Sequence, residues 1–287
     1  MQEKLNLLND YLFMKYMGEK GDEEQLTAFL NAVLQKTGKG NISSVTIAEN
    51  TTFSAEIIGG KFCVLDLRAT LDNGTKVNIE VQLRNLNNMD RRSLFYWSRE
   101  FVRGIDSGQD YLELPDVIAI NIIDFEFMPE INDIQTSFHL WEDSYRDKML
   151  TNALEIHFVN MFKFRRLKEK DLINNHLHRW LTFFSKETDE STIKKIIDMD
   201  TAIKKAHEKI SYISCDEETL RLYQMRELAQ MDYNVGMKTA RREGMQQGRE
   251  EGREEGRQEA LSEILQLFKE GKSIEEVSRL FNLSDKN

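Results

Sequence analysis

Proline and cysteine are nearly missing from this chain, with two of each in 287 residues. The cysteines, Cys63 and Cys215, lie far apart and neither has a Cys-x-x-Cys partner. That excludes a disulfide framework or a cysteine-rich metal site and suits a reducing, cytoplasmic compartment. Long apolar runs are missing too: no stretch of about 18 apolar residues occurs, so no segment reads as membrane-spanning. The opening run MQEKLNLLNDYLF has an acid at position 3 and no small-residue cleavage motif, and does not read as a secretory leader. Positive charge is not in excess. Lys and Arg number 39 against 49 Asp and Glu, a net charge of −10, which lacks the overall basic footprint of a non-specific nucleic-acid binder.

What is present is local. Arg84, Arg91, Arg92, Arg99 and Arg103 face only Asp90 and Glu100 within one stretch. A second basic run holds Lys163, Arg165, Arg166, Lys168 and Lys170 against Glu169 and Asp171. Apolar residues from Asn9 to Leu34 recur at helical spacing, with a cap at Asn9 or Asp10 and a break over Gly18–Asp22. Helical spacing returns over 89–107 and again over 167–232. Between Pro115 and Pro129 runs an apolar, β-branched segment that reads as a buried strand, with further strands expected near 135–141 and 153–159. Trp97, Trp141 and Trp180 read as core or partly buried packing residues. The five histidines show no metal-binding spacing.

The informative segment is 61–83. Cys63, Leu65, Leu67, Ala69 and Leu71 share one side of a first strand, and Val77, Ile79, Val81 and Leu83 share one side of a second. Both apolar sets must face the core, and a one-residue slip would turn every side chain over. Leu67 must therefore oppose Ile79, which requires an odd loop: Asp72-Asn73-Gly74, with the glycine where a left-handed residue is needed. On the opposite face this register sets Asp66 against Glu80 and Gln82 against Val64, with Arg68 and Asn78 completing a polar row. Two carboxylates about 5 Å apart across a strand pair repel. Either both are solvated on an open face, or a hard cation lies between them.

The spacing Asp66, thirteen residues, Glu80-Val81-Gln82 resembles the PD-(D/E)XK nuclease core in its E-x-Q form. With Asn9-Asp10-Tyr11-Leu12-Phe13-Met14-Lys15, Asn78-Ile79-Glu80-Val81-Gln82 and Arg91-Arg92-Ser93-Leu94-Phe95-Tyr96, the chain is similar to the Rpn family of recombination-promoting nucleases, PD-(D/E)XK transposase-like proteins. That resemblance covers about residues 5–165, and the style of the tail over 236–283. The family's proline is Leu65 here and its lysine is Gln82. The resemblance implies an α/β, restriction-endonuclease-like fold, with a mixed sheet flanked by helices and a helical C-terminal extension and tail. It implies Mg²⁺- or Mn²⁺-dependent hydrolysis of DNA, with Asp66, Glu80 and the Val81 backbone carbonyl as metal ligands and Gln82 positioning water. Arg91, Arg92, Tyr96 and Arg99 are candidates for DNA phosphates. Arg68 or Arg92 is the candidate source of the charge that lysine would bring. Asp10 is either a helix cap or a contributor to the site from the first helix. The rival reading is a catalytically inactive nuclease fold that binds DNA or protein.

Gly244, Gly248, Gly252 and Gly256 recur every four residues in a charged tail. The stripe is either a solvated linker or a bare helix face that admits a second helix, with Glu250–Arg253 and Glu254–Arg257 pairs beside it. Ser273 and Glu276 form a capping box. The expected division is a nuclease-like domain at 1–235, with a helical extension over about 167–235, and a tail at 236–287 that forms a homodimer.

Overall fold

The computed structural model describes residues 4–48, 67–105 and 108–281. Its frame is a six-stranded mixed sheet with strands β1 (Val45–Ile47), β2 (Leu67–Leu71), β3 (Lys76–Gln82), β4 (Val117–Ile123), β5 (Gln135–Phe138) and β6 (Leu154–Asn160), in the order β1-β2-β3-β4-β6-β5. β1, β2 and β3 form an antiparallel meander, β3–β4 and β4–β6 are parallel, and β5 closes the edge antiparallel to β6. Helices α1 (Asp10–Met17), α2 (Glu23–Leu34), α5 (His176–Phe184), α6 (Glu190–Met199) and α7 (Thr201–Ile213) supply the main core. α3 (Met89–Arg103) connects the parallel pair β3 and β4, and the short α4 (Met161–Arg165) follows β6.

The parallel strands explain their own composition. Every residue of β4 and of β6 is buried, because a parallel sheet is covered on both faces and loses the apolar–polar alternation. β2 keeps that alternation. On one face Leu67, Ile79, Val81, Ile118, Ile120 and Ile122 join the main core with residues of α1, α2 and α5. There Phe13, Tyr16, Phe29, Trp180, Phe183 and Phe184 pack largely edge to face, a geometry that adds about 1 kcal/mol per pair beyond simple burial. On the other face a smaller cluster gathers Met89, Ala119, Ile123, Phe125, Ile156 and Phe158 with Trp97 of α3. Trp97 Nε1 donates to the Val117 carbonyl at 2.9 Å. Gly104 then ends α3 where a Cβ would sit 2.4 Å from Pro115 Cδ. The helix is thereby fastened to the start of β4.

The hairpin has the register that its two apolar faces demand. Leu67 opposes Ile79 and Arg68 opposes Asn78. Leu71 and Thr75 close the loop through a 2.9 Å bond, and Gly74 takes φ 88°. The first part of the strand run, with Cys63, Val64, Leu65 and Asp66, lies outside the described residues. So do the expected oppositions of Asp66 with Glu80 and of Val64 with Gln82.

Other expectations are adjusted. Asn9, not Asp10, caps α1 by accepting from Leu12 N–H at 3.2 Å. Trp141 is only partly buried, 46% exposed, with its ring edge-on to His139. The chain divides between Arg226 and Glu227, inside helix α8 (Glu217–Lys269), whereas the expected boundary was near 235. The composition changes after 235, but helical hydrogen bonding continues past it, so sequence character and compactness change at different places. In the second unit the helix runs through all four glycines. Glu250 and Glu254 accept from Gln246 and Gln258, not from Arg253 and Arg257 as expected. The capping box opens α9 (Ile274–Leu280), with both reciprocal bonds present. Among the described residues, no helix is long and apolar enough to cross a membrane.

Sequence reading missed a buried polar cluster. Glu155 and His157 are both fully buried on β6, with His157 Nε2 2.6 Å from Glu155 Oε1. Thr37 donates to the same oxygen at 2.7 Å and Lys39 Nζ lies 2.7 Å from the other. Burial pushes the Glu155 carboxyl up, but the hydrogen bonds from His157, Lys39 and Thr37 outweigh it and hold the group well below the usual range. A carboxyl depressed in this way contributes stability above its unfolded pKa, near 4.5. The contribution is lost as pH falls through the folded value. Glu155→Gln is therefore expected to lower the unfolding stability measured in urea at neutral pH by about 2 kcal/mol or more. It should also make the loss of stability below roughly pH 5 shallower. Identical acid slopes in the two proteins would remove Glu155 as the responsible group.

Candidate active site

The side chains of β3 divide by parity. Val77, Ile79 and Val81 enter the main core, while Asn78, Glu80 and Gln82 face α3. Glu80 and Gln82 thus stand toward the carboxyl end of β3, next to the parallel partner β4, where open α/β sheets gather their functional groups. The Gln82 carbonyl accepts from Asp124 N–H at 3.1 Å, just past the end of β4.

Glu80 is 1% exposed. An ionised carboxylate at that depth needs compensation. It comes from Arg92 of α3, whose Nε donates to Glu80 Oε1 at 2.8 Å and whose Nη2 approaches the same oxygen. Arg92 Nη2 also donates to Tyr96 Oη at 3.2 Å, one helical turn on. Burial raises the Glu80 carboxyl above its usual value, and the Arg92 charge and hydrogen bond oppose that rise. The second oxygen, Oε2, is buried and has no hydrogen-bond partner among the described residues; Asn78 Oδ1 on the same face is in the same state. A second ion pair runs the other way: Arg68 of β2 reaches Glu100 of α3 at 3.6 Å, and Arg103 joins Glu100 at 2.6 Å. α3 therefore gives a cation to the sheet at one end and takes one from it at the other.

This geometry places most of the candidates. Glu80, Gln82, Arg68, Arg92 and Tyr96 share the space between β2, β3 and α3. Gln82 is half-buried, with its amide nitrogen 3.4 Å from the Arg84 carbonyl. Val81 lies between them in sequence, with its side chain turned into the opposite core. Arg91 and Arg99 are exposed on the outer side of α3. Asp10 is engaged elsewhere: it accepts from Tyr11 N–H at 2.8 Å and pairs with Arg226 at 2.5 Å. Burial raises its carboxyl, against the Arg226 charge. Asp66 lies outside the described residues. Glu100 entered the sequence reading only as a local charge, although it continues the Arg92–Tyr96 row at i+8. The second basic run is largely committed internally: Lys163 donates to the Met128 carbonyl at 2.8 Å and Arg165 pairs with Asp124 at 2.6 Å.

The model of the PD-(D/E)XK nuclease family transposases matches residues 7–240. The chain belongs to this family. No curated protein and no solved structure matches it. The matched residues take in the whole mixed sheet, with Glu80 on β3, and the helical extension through α7.

The family implies a divalent cation. The donor chemistry fits: Glu80 Oε2 is a buried acceptor without a partner among the described residues, and the neighbouring groups on its face offer oxygen, which hard cations prefer. Among the described residues, no group of three or more His, Cys, Asp and Glu side chains is arranged around a metal position.

The Glu80–Arg92 pair makes a test of its own. Arg92→Ala leaves a buried carboxylate without its cation and is expected to lower unfolding stability by about 2–4 kcal/mol. Glu80→Gln should cost less, and adding it to Arg92→Ala should recover part of the loss. Additive losses in this double-mutant cycle, measured by urea denaturation, would show that the two groups do not interact.

Proposed function

We propose that this PD-(D/E)XK protein is a Mg²⁺- or Mn²⁺-dependent DNA endonuclease that hydrolyses phosphodiester bonds. The observation that carries the reading is Glu80: a fully buried carboxylate at the end of a central strand, one oxygen clamped by Arg92 and the other left without a partner among the described residues. Evolution of a stable core alone gives no reason to keep a half-satisfied acid there.

Glu80 Oε2, with Asp66 and the Val81 carbonyl, would hold the cation. When bound, such a cation polarises a phosphate oxygen and lowers the pKa of water. Gln82 orients that water through its amide, which can both donate and accept but carries no charge. Arg92 brings to the same pocket the positive charge that Gln82 lacks, and its guanidinium suits a phosphate oxygen once a substrate competes with Glu80 for it. Arg91, Arg99 and the Tyr96 hydroxyl anchor flanking phosphates, contacts that set position without reading sequence. Arg68 balances Glu100 and keeps α3 seated. A cytoplasmic protein acting in recombination, on mobile elements or in defence follows from the same reading.

One observation favours the rival reading, a nuclease fold that binds without cutting: Arg92 already neutralises Glu80. Plasmid nicking separates the two. Metal-dependent cutting is expected from the unmodified protein, abolished by chelation and reduced at least about 100-fold in Glu80→Ala and Asp66→Ala. Cutting no faster than in those variants would leave only the binding role.

We also propose that the tail joins two copies of the chain. Leu228, Met231 and Val235 at one end of the tail helix, and Leu261, Leu265 and Phe268 at the other, are exposed apolar residues at helical spacing. Between them a Cβ added at Gly244, Gly248, Gly252 or Gly256 meets open space, so a second backbone can come close. Gly248→Leu with Gly252→Leu is expected to preserve or raise helicity, since leucine is the better helix former, while converting a dimer to a monomer in sedimentation. A monomeric unmodified protein would dispose of this role for the tail.

A further inference from the structure

The outer side of α3 presents an exposed aromatic ring between two arginines, one helical turn to either side, with further exposed apolar side chains next to it. Phe95 is 61% exposed, and Leu94 and Val102 are exposed beside it. At 100° per residue, Arg91, Phe95 and Arg99 fall within an arc of about 80°. Guanidinium, ring and guanidinium then follow one another at steps of about 6 Å along the helix. Among the described residues, neither Arg91 nor Arg99 forms an ion pair or hydrogen bond through its side chain, whereas Arg92 and Arg103 on the flank both do.

The ridge is continuous with the candidate active site. Phe95 meets the Tyr96 ring edge-on at 5.5 Å and 81°. Tyr96 accepts from Arg92, and Arg92 holds Glu80. Four side chains thus lead from the buried carboxylate to an exposed ring with free cations on either side.

The chemistry selects the occupant. The two free cations call for a polyanion, in a protein whose net charge of −10 makes this strip an exception. The ring calls for an apolar flat surface. In a duplex the base faces are covered by stacking, and phenylalanine, with no hydrogen-bonding group, can meet little of the base edges beyond a thymine methyl. An unpaired strand offers both phosphates and free base faces, and base–aromatic stacking beside arginines is how such strands are held. We propose that Phe95 is a stacking platform for an unpaired base, with Arg91 and Arg99 on the adjoining phosphates, so that the protein prefers DNA with single-stranded character at the site of action. This rests on the nuclease reading, because it assumes DNA as the substrate.

Fluorescence anisotropy with short labelled oligonucleotides, Ca²⁺ replacing Mg²⁺, tests it. The unmodified protein is expected to bind a single strand more tightly than a duplex of equal length at equal salt. Phe95→Ala should weaken single-strand binding about 5- to 100-fold and duplex binding less than about twofold. Phe95→Trp should restore the affinity, and an abasic strand with the same phosphates should bind the unmodified protein poorly. Arg99→Ala should instead weaken both substrates and flatten the salt dependence by about one phosphate. Phe95 is exposed, so its variants should melt with the parent. DNA binding that Phe95→Ala leaves unchanged, or lowers equally for both substrates, overturns the stacking proposal while the nuclease reading stands. If Phe95→Ala instead lowers self-association in sedimentation, the ridge belongs to a protein contact. An absence of DNA binding at any salt overturns the nuclease reading and this proposal together.

Discussion

A carboxylate buried in the middle of a sheet has to be compensated, and the way Glu80 is compensated organises this part of the molecule. Its compensating charge cannot come from β3 itself, whose neighbouring side chains on that face are the neutral amides of Asn78 and Gln82. It comes from α3, which must therefore lie across the polar face of the sheet with Arg92 over β3. Once there, α3 can only connect to β4 in parallel, and the bond from Trp97 to Val117 and the closeness of Gly104 to Pro115 mark where it gives way to the next strand. The reverse pair, Arg68 with Glu100, fixes the far end of the helix. Two ion pairs of opposite polarity define a position along the helix axis better than two of the same sense, because sliding the helix would break both.

Compensation is incomplete, and that is informative. One oxygen of Glu80 is satisfied twice over and the other is not satisfied by any described residue. A fold selected for stability alone gains by replacing such a pair with apolar residues of similar size. The retained arrangement makes sense when the open oxygen has a ligand and Arg92 is the counter-charge that keeps the site foldable before the ligand arrives.

Much of this was legible from residue order, and the reason differs from one element to another. The hairpin register followed from parity, because two apolar faces and an odd loop leave one solution, and Gly74 at φ 88° is where that solution needs a left-handed residue. The break between α1 and α2 and the capping box at Ser273 are local signals and needed no tertiary knowledge. Glu155 and His157 escaped because their partners, Thr37 and Lys39, come from the far side of the sheet in sequence; a strand reading places them on a face but cannot say what covers it. Arg92 was singled out as a candidate, but its bond to Glu80 joins a helix to a strand, and spacing within one element does not disclose that.

Helix α3 also shows why an acidic protein can be a candidate for binding a polyanion. Consecutive residues on a helix point 100° apart, so Arg91 and Arg92, adjacent in sequence, have different environments: one exposed and unpaired among the described residues, the other sunk against Glu80. Net charge averages over such differences. What a strand of nucleic acid meets is the local field, and screening at physiological salt confines that field to about 8 Å, about one and a half helical turns. Within that range of Phe95 lie Arg91 and Arg99, while the nearby Glu100 is already paired with Arg68 and Arg103. The same helix therefore buries one arginine to make a carboxylate tolerable and exposes two others to make a surface attractive, and it can do both because a single-residue step turns a side chain from the sheet toward solvent.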